Sequence, residues 1–335
     1  MGYTKAVWSY LLGCRVLLGR VDAQNQPQQL CGKDDARVQG NYTFNSNAWN
    51  QDESGWTCLY PSRDNTSNAF IAEWRWQSSP PRVHAYPHIQ LNSDVLPVSI
   101  ANLSQLDLSL EWAMKPSSLI EGLSDDPTTS PNADALDAIG IEANVVMDLF
   151  CDADANRSRT PAKQRYEIMV WLGRFGRASE PIGMDQARVT PIVQTVGNAE
   201  FTLYAGTNGN GQTVFSWVTT APLTQFYGDV TPLVHFLPRY GFMPWDTYLG
   251  TVQFGSETFY AAENVKFYVK SFHADVKSPA EGASPVDTSV EELPVQTSVG
   301  GGAAALEVAS GLWTYLSVGT GYFVAMLLMG GLSVL

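Results

Sequence analysis

Tyr166-Glu167-Ile168-Met169-Val170-Trp171-Leu172 places one carboxylate among apolar and aromatic residues, in a stretch that contains no glycine or proline. Side chains alternate between the two faces of a β-strand, so Glu167, Met169 and Trp171 are predicted to share one face. Tyr166, Ile168, Val170 and Leu172 then share the other. One face would build a core, and the face that carries Glu167 would line a cleft.

A second stretch, Val252-Gln253-Phe254-Gly255-Ser256-Glu257-Thr258-Phe259, has the same character. If it is extended throughout, Gln253, Gly255, Glu257 and Phe259 share a face. For Glu167 alone the ordinary interpretation is a solvated charge on a strand, but the repetition at Glu257 favours a functional pair. Retaining glycoside hydrolysis needs such a pair, a nucleophile and a general acid/base, with carboxyl groups roughly 5 to 5.5 Å apart.

Short runs rich in Val, Ile, Tyr, Trp and Thr, separated by Gly, Asn, Pro and Ser clusters, continue from about residue 41 to residue 271. This pattern predicts many β-strands joined by turns. The expected architecture is all-β, a jelly-roll β-sandwich of two antiparallel sheets with a concave cleft and one packed helix. The predicted strands are 69–77, 88–91, 106–113, 141–150, 166–174, 200–205, 213–218, 248–254 and 262–272.

The one predicted helix begins with Thr231 as its cap and Pro232 at its first helical position, and it ends near Pro238. Its apolar residues are expected to pack on the outside of a sheet. A glycine-rich stretch, residues 206–211, lacks the Lys-Ser/Thr of a phosphate-binding loop and lies between two predicted strands. It is therefore interpreted as a hairpin turn.

Composition narrows the classes of partner. The 335 residues include 20 basic and 33 acidic side chains, and the formal net charge is −13. The absence of a basic cluster disfavours nucleic acid as a partner.

The histidines do not indicate a metal site. His84 and His88 are separated by Pro87, which argues against a helix that would bring them together on a zinc ion. We expect no metal or organic cofactor, one catalytic domain and a monomer.

The N-terminal residues 1–23 have the layout of a secretory signal peptide, with Lys5, an apolar run and a small-residue site ending at Ala23. N-glycosylation sequons also favour secretion. The four sequons begin at Asn41, Asn65, Asn102 and Asn156. If Cys31 pairs with Cys58, the cysteines fit an oxidising compartment, and Cys151 is interpreted as a small buried hydrophobic residue.

The catalytic domain is predicted to span residues 24–277. Within it, residues 115–140 are predicted to form a loop rich in Ser, Pro, Asp and Thr. Such a loop fits either an insertion at the rim of the cleft or a disordered surface excursion, and we favour the disordered excursion.

Residues 278–310 form a Pro/Ser/Glu/Gly-rich linker that is expected to act as a stalk. Residues 311–335 are a hydrophobic tail with no basic residue after it, which favours a GPI-attachment signal over a retained transmembrane helix. The protein is thus expected to be secreted and anchored at the outer cell surface.

Several motifs, in this order and spacing, resemble those of glycoside hydrolase family 12, the endoglucanases and xyloglucanases of fungi and bacteria. Besides the two stretches above, they are Asn47-Ala48-Trp49, Glu73-Trp74-Arg75-Trp76, Asn144-Val145-Val146-Met147-Asp148-Leu149-Phe150, Pro181-Ile182-Gly183 and Tyr227-Gly228-Asp229-Val230. The resemblance implies a jelly roll with an open cleft and retention of anomeric configuration. It implies that Glu167 is the nucleophile, that Glu257 is the acid/base, and that Asp148 supports the nucleophile through a hydrogen bond.

The same resemblance suggests which residues bind the substrate. Trp49, Trp171 and Met169 match cleft residues of the family, and Asn144 and Gln253 are further candidates. Trp74 and Trp76 also match a family motif, but as residues on one strand face they fit either the cleft or the core. A disulfide common in the family corresponds to Cys31 and Cys58. Asp34 stands where many members have a tryptophan, so this chain lacks the aromatic ring that the family uses at a distant glycone subsite.

The predicted function is endo-hydrolysis of β-1,4-glucan chains of the cell wall, such as cellulose, mixed-linkage glucan or xyloglucan, through a covalent glycosyl-enzyme intermediate. The alternatives are a xyloglucan-specific endoglucanase, a wall transglycosylase that delivers the intermediate to another sugar, and a non-catalytic carbohydrate-binding sandwich. Turnover of a soluble β-glucan separates the enzymes from the binding module.

Overall fold

The computed structural model describes residues 29–64, 67–120, 133–160, 163–186, 191–280 and 286–293. The predicted signal peptide, the sequon at Asn65 and the hydrophobic tail lie outside these residues. In the described part of the chain, no helix is long and apolar enough to cross a membrane.

The described residues form two β-sheets. Their strands are β1 (Ala36–Gln39), β2 (Tyr42–Asn45), β3 (Gly55–Pro61), β4 (Phe70–Trp76), β5 (His88–Leu91), β6 (Val98–Ser99), β7 (Gln105–Pro116), β8 (Glu142–Asp152), β9 (Tyr166–Phe175), β10 (Val193–Val196), β11 (Ala199–Thr207), β12 (Thr213–Thr219), β13 (Gln225–Asp229), β14 (Tyr248–Gly255), β15 (Thr258–Tyr260) and β16 (Val265–Lys277). The larger has eleven strands, in the order β1-β2-β5-β14-β8-β9-β12-β11-β10, with β15 also paired to β8 and β6 to β14. The smaller has five, in the order β13-β7-β16-β4-β3. All described pairs are antiparallel except β9 with β12, which is parallel.

The predicted all-β sandwich is confirmed, and each predicted strand has its counterpart. The second glutamate stretch is not extended throughout, because β14 ends at Gly255 and β15 begins at Thr258. Ser256 and Glu257 therefore lie in a break between two strands that both pair with β8. Such a break redirects the backbone and frees Glu257 from the alternation of the strand.

The main core lies between the sheets and is rich in aromatic residues. β4 shows how it forms, because its side chains alternate between buried and half-buried positions. Trp74 and Trp76 are both fully buried in this core. Trp76 also donates a hydrogen bond of 3.1 Å from Nε1 to Thr258 Oγ1. Of the two positions left open for Trp74 and Trp76, the cleft is therefore wrong and the core is right: β4 belongs to the five-stranded sheet, and its tryptophans face the opposite sheet across the core.

The structure contains the predicted helix, as α2 (Thr231–Arg239), but with a different start. Thr231 is its first residue, not its cap, and the Thr231 backbone N–H donates a 2.9 Å hydrogen bond to Asp229 Oδ1. The helix packs on the larger sheet, where Phe236 lies edge-on against the buried Trp217 of β12. The helix thus closes part of the core.

Residues 115–140 are more ordered at both ends than the predicted loop. Strand β7 continues to Pro116, a 3-10 turn follows over Ser117–Ile120, and the short helix α1 spans Ala133–Ala138. Leu136 of α1 is fully buried in the main core. The prediction of a disordered surface excursion is wrong for these parts, while residues 121–132 lie outside the described residues.

Part of the predicted linker also contacts the domain. The Glu291 backbone N–H donates a 2.7 Å hydrogen bond to the carbonyl oxygen of Arg239, at the end of α2. Leu293 packs against the main core as a partly buried side chain. The chain after β16 therefore returns to α2 over residues 286–293.

Candidate active site

The eleven-stranded sheet carries a second apolar cluster, separate from the main core. It consists of Tyr86, Val146, Met169, Trp171, Val214 and Val218. In β9, Met169 and Trp171 belong to this cluster, whereas Ile168, Val170 and Leu172 belong to the main core. The predicted alternation of β9 is therefore found in the structure, and Glu167 shares the face of the second cluster. We call this face the cleft face.

Strand register brings the candidate residues of the cleft face together. Asp148 of β8 is paired with Gln253 of β14 on one side and with Met169 of β9 on the other. Glu167 is paired with Phe150 of β8. Gln253 donates a 2.8 Å hydrogen bond from Nε2 to Gln90 Oε1 of β5, which fixes the orientation of its amide.

Asn144 holds Glu257 at three points. The Asn144 side chain accepts a 2.9 Å hydrogen bond from the Glu257 backbone N–H through Oδ1 and donates one through Nδ2 to Glu257 Oε2. The Asn144 backbone N–H donates to the carbonyl oxygen of Glu257 over 3.2 Å. Because Asn144 is fully buried, this contact positions the Glu257 carboxyl group even though Glu257 lies outside the strands.

The Glu167 carboxyl group has one hydrogen-bond donor among the described residues. Asn208 Nδ2, in the hairpin between β11 and β12, lies 3.3 Å from Glu167 Oε2. A donor at this place favours the ionised form of the carboxyl group. The two glutamates therefore differ in their neighbours: Asn144 holds Glu257, and Asn208 contacts Glu167.

Tyr86 lies among three acidic residues, Asp148, Glu167 and Glu257, which we call the acidic cluster. Its hydroxyl group donates a 3.2 Å hydrogen bond to the Val146 carbonyl oxygen. Burial raises the pKa of Tyr86, and the charges of Asp148, Glu257 and Glu167 raise it further, in that order. All three carboxyl groups are thus close enough to act on one phenol group.

Crowding and burial keep protons on this acidic cluster. Burial raises the pKa of Glu257 to about 7, against the hydrogen bond from Asn144. Burial, followed by the charge of Glu257, raises the pKa of Glu167, against the hydrogen bond from Asn208. Three carboxyl groups in one partly desolvated site cannot all ionise at neutral pH. The titrations of the three carboxyl groups are linked, and the site carries at least one proton at neutral pH.

Asp148 is the most buried of the three, with 3% of its surface exposed. Its Oδ1 atom is buried and has no hydrogen-bond partner within the described residues. Burial raises the pKa of Asp148 well above its ordinary value, and the charges of Glu167 and Glu257 raise it further. The protonated form of Asp148 is therefore favoured. The hydrogen bond to the nucleophile that the resemblance implies is not made by Oδ1.

We expect Asp148→Asn to make the protein more stable at pH 8 and to reduce the loss of stability between pH 5 and pH 8. Folding raises the pKa of Asp148, so above the pKa of the unfolded chain the native state binds more protons than the unfolded state. Stability must then fall as pH rises through the folded pKa. Asparagine is neutral at all pH values and removes this loss.

Thermal unfolding at pH 5 and pH 8 checks this expectation, because 1 kcal/mol shifts Tm by about 2–4 °C in a domain of this size. Asp94→Asn is the matched control, since Asp94 is exposed. Equal pH profiles for the wild type and Asp148→Asn would show that Asp148 does not hold a proton in the folded protein.

The remaining predicted site residues are placed as follows. Trp49 is 47% exposed and lies in a turn where the neighbouring Asn47 carbonyl oxygen accepts a 3.0 Å hydrogen bond from the Tyr86 backbone N–H. It is therefore available to stack on a sugar near the cleft face.

The cysteines have the predicted states. The disulfide Cys31–Cys58 is formed, and Cys151 is free and buried. The sequon residues Asn41, Asn102 and Asn156 are exposed, and their glycosylation stays a prediction.

Sequence reasoning missed three neighbours of the acidic residues: Tyr86, Phe150 and Asn208. Phe150 was detectable, since it follows Asn144, Val146 and Asp148 at the same spacing along β8. Tyr86 lies outside the named strands and approaches the cluster only through the tertiary fold. Asn208 belongs to residues 206–211, whose glycine content indicates only a turn.

Comparison with known proteins finds a matching family, related sequences and similar folds. The model of glycosyl hydrolase family 12 matches residues 40–277. A "Probable xyloglucan-specific endo-beta-1,4-glucanase A" of Aspergillus flavus is 28% identical over 77% of this chain and 95% of its own length. Endoglucanase A of Aspergillus kawachii is 27% identical over 69% of this chain and 86% of its own length. The crystal structure of Trichoderma harzianum endoglucanase 3 has a similar fold, with a TM-score of 0.60, 24% identity and coverage of 75% of this chain and 97% of that one.

Proposed function

The chain belongs to glycosyl hydrolase family 12, and from this premise we propose that it is a retaining endo-β-1,4-glucanase that cleaves internal bonds of cell-wall glucans. The observation that carries the proposal is the placement of Glu167 and Glu257 around Tyr86 on the cleft face, with different hydrogen-bond partners. Two carboxyl groups with different neighbours match the two roles of a retaining glycosidase.

In the first step, the Glu167 carboxylate attacks the anomeric carbon of the bound glucan and forms an ester bond to it. The bond between that carbon and the bridging oxygen breaks, and Glu257 donates its proton to this oxygen, so that the leaving chain departs with a hydroxyl group. Burial of Glu257 supports this role, because it raises the pKa to about 7. The proton is then available in neutral and weakly acidic solution.

In the second step, Glu257 is a carboxylate and takes a proton from water. The water oxygen attacks the anomeric carbon, the ester bond to Glu167 breaks, and Glu167 returns as a carboxylate. Two displacements at one carbon retain its configuration. A transglycosylase differs only in this step, where a sugar hydroxyl group replaces water.

Several side chains support the binding of a glucan chain in this proposal. Trp171 belongs to the apolar cluster on the cleft face and is 3% exposed. Phe150 is half-buried beside Glu167 on the cleft face. Trp49 offers an exposed aromatic ring. Aromatic faces and a few polar groups are the usual means of holding a sugar chain.

A preference for xyloglucan is the second candidate. It is favoured by the names of relatives such as the Aspergillus flavus protein above and the "Xyloglucan-specific endo-beta-1,4-glucanase 1" of Phytophthora sojae, which is 37% identical over 40% of this chain and 52% of its own length.

Hydrolysis of barley β-glucan, carboxymethyl cellulose and tamarind xyloglucan, compared side by side, tests the proposal. Release of new reducing ends from the unbranched glucans is the result expected of an endoglucanase, and release from xyloglucan alone identifies the second candidate. Cleavage without new reducing ends would identify a transglycosylase. Binding without any cleavage would contradict the proposal and favour a carbohydrate-binding sandwich.

Secretion and anchoring belong to the same proposal and are supported by the N-terminal and C-terminal sequences alone. Polymeric wall glucans are outside the cell, so a glucanase must be exported to reach them. Release of the protein from intact cells by a phosphatidylinositol-specific phospholipase is expected, and a protein that stays bound would contradict the GPI anchor.

A further inference from the structure

We propose that Asn208 is a positioning residue for Glu167, fixed by its hairpin so that a side-chain N–H group always faces the carboxylate. Asn208 Nδ2 lies 3.3 Å from Glu167 Oε2. It has this role in catalysis only if Glu167 is the nucleophile, so the inference rests on the proposed function. Residues 206–211, interpreted from sequence as a turn, would then also hold the donor that faces the nucleophile.

The hairpin determines which end of the Asn208 amide faces Glu167. Asn208 Oδ1 accepts hydrogen bonds of 3.0 Å from the backbone N–H groups of Asn210 and Gln212. An amide whose oxygen is held by two donors must turn its nitrogen the other way. That nitrogen lies near two acceptors, Glu167 Oε2 and Gln212 Oε1, the second at 2.9 Å. The amide cannot flip without losing these four contacts.

The hairpin is in turn joined to the strand that carries Glu167. Gln212 is 6% exposed, and its Nε2 donates a 3.0 Å hydrogen bond to the Gln164 carbonyl oxygen. The Thr213 backbone N–H donates a 3.0 Å hydrogen bond to the Arg165 carbonyl oxygen. Gln164 and Arg165 directly precede β9, so the donor and Glu167 are held in one rigid unit.

The contact between Asn208 and Glu167 matters because Glu167 lies in the acidic cluster. A nucleophile must be ionised to attack, but Glu167 is surrounded by groups that oppose its charge. Burial and the charge of Glu257 raise the pKa of Glu167, and the hydrogen bond from Asn208 lowers it. A fixed donor stabilises the carboxylate over the carboxylic acid. Asn208 thus opposes the groups that keep a proton on Glu167.

Two substitutions separate the donor from the turn. Asn208→Asp keeps an oxygen for the two backbone N–H groups but places a second oxygen where the donor was. Asn208→Ser also keeps an acceptor for the turn, and its shorter side chain carries no donor to the place of Asn208 Nδ2. Asn210→Asp is the matched control, because Asn210 is exposed in the same hairpin and gains the same charge at a different position.

The measurement is the titration of the Glu167 carboxyl carbon by 13C NMR, in the purified protein, with the resonance assigned by its loss in Glu167→Gln. We expect the pKa of Glu167 to rise by about one unit or more in Asn208→Asp, to rise less in Asn208→Ser, and to stay unchanged in Asn210→Asp. The acidic limb of the kcat/KM profile on an aryl β-cellotrioside should move in the same direction. A purely structural role would lower Tm in the Asn208 variants and leave this titration unmoved.

An unchanged Glu167 titration in both Asn208 variants would overturn the proposal, and so would an equal shift in Asn210→Asp. The titration does not depend on turnover, so its outcome is separate from that of the proposed function. Absence of glucan hydrolysis by the wild type would refute the proposed function alone.

Discussion

Replacement of Glu167 by glutamine is expected to abolish hydrolysis of β-glucans, with a loss in kcat on the order of 10⁴-fold or more. The amide of glutamine cannot form the ester to the anomeric carbon, so the first displacement has no nucleophile. The change should leave the fold intact, because the glutamine oxygen can still accept the hydrogen bond from Asn208 Nδ2. It also removes one carboxyl group from the crowded cluster, which favours stability at neutral pH.

The measurement for Glu167→Gln is the release of reducing ends from barley β-glucan, together with thermal unfolding. Glu200→Gln is the matched control, since Glu200 is an exposed glutamate on β11 of the same sheet. Near-normal hydrolysis by folded Glu167→Gln would refute the assignment of the nucleophile. Loss of activity in both variants would show that the effect is not specific to Glu167.

Replacement of Glu257 by glutamine is expected to have the second largest effect, with a loss on the order of 10² to 10⁴-fold on glucan chains. A sugar hydroxyl is a poor leaving group and needs the proton of Glu257, whereas dinitrophenolate does not. We therefore expect the dinitrophenyl β-cellobioside to form the covalent intermediate quickly in Glu257→Gln, followed by slow hydrolysis. Azide should speed the second step, because it attacks the anomeric carbon without a general base.

The pH dependence of the wild type gives a further check on Glu257. Burial raises the pKa of Glu257 to about 7, so activity on glucans should fall as the pH rises through this value and the acid loses its proton. On the dinitrophenyl substrate, formation of the intermediate should not show this basic limb. Equal losses of Glu257→Gln on both substrates, without rescue by azide, would contradict its assignment as acid/base.

Much of the fold was predictable because its strands are regular. The alternation of Tyr166 to Leu172 places Glu167, Met169 and Trp171 on the cleft face, as expected. Trp74 and Trp76 show the limit of this reasoning. Alternation predicts that they share a face, but both faces of a sandwich strand can be apolar, and only the pairing of β4 into the smaller sheet puts them in the core.

The surroundings of the carboxyl groups were less predictable, because they depend on contacts between residues far apart in the chain. Tyr86 meets the acidic residues only when the strands pair, and Asn144 reaches Glu257 across 113 positions of sequence. The helix start illustrates a local error. Thr231 is a good capping residue, but Asp229, two residues earlier, accepts the hydrogen bond from the backbone of the first turn.

The most direct test of the central claim is the identity of the residue that becomes covalently attached to the sugar. The protein is incubated with dinitrophenyl 2-deoxy-2-fluoro-β-cellotrioside, whose fluorine slows the second displacement, and its peptides are then sequenced by mass spectrometry. The account predicts one sugar adduct per chain, on Glu167, and none in Glu167→Gln. An adduct on another residue, or hydrolysis of glucans by a protein that is never labelled, would contradict it.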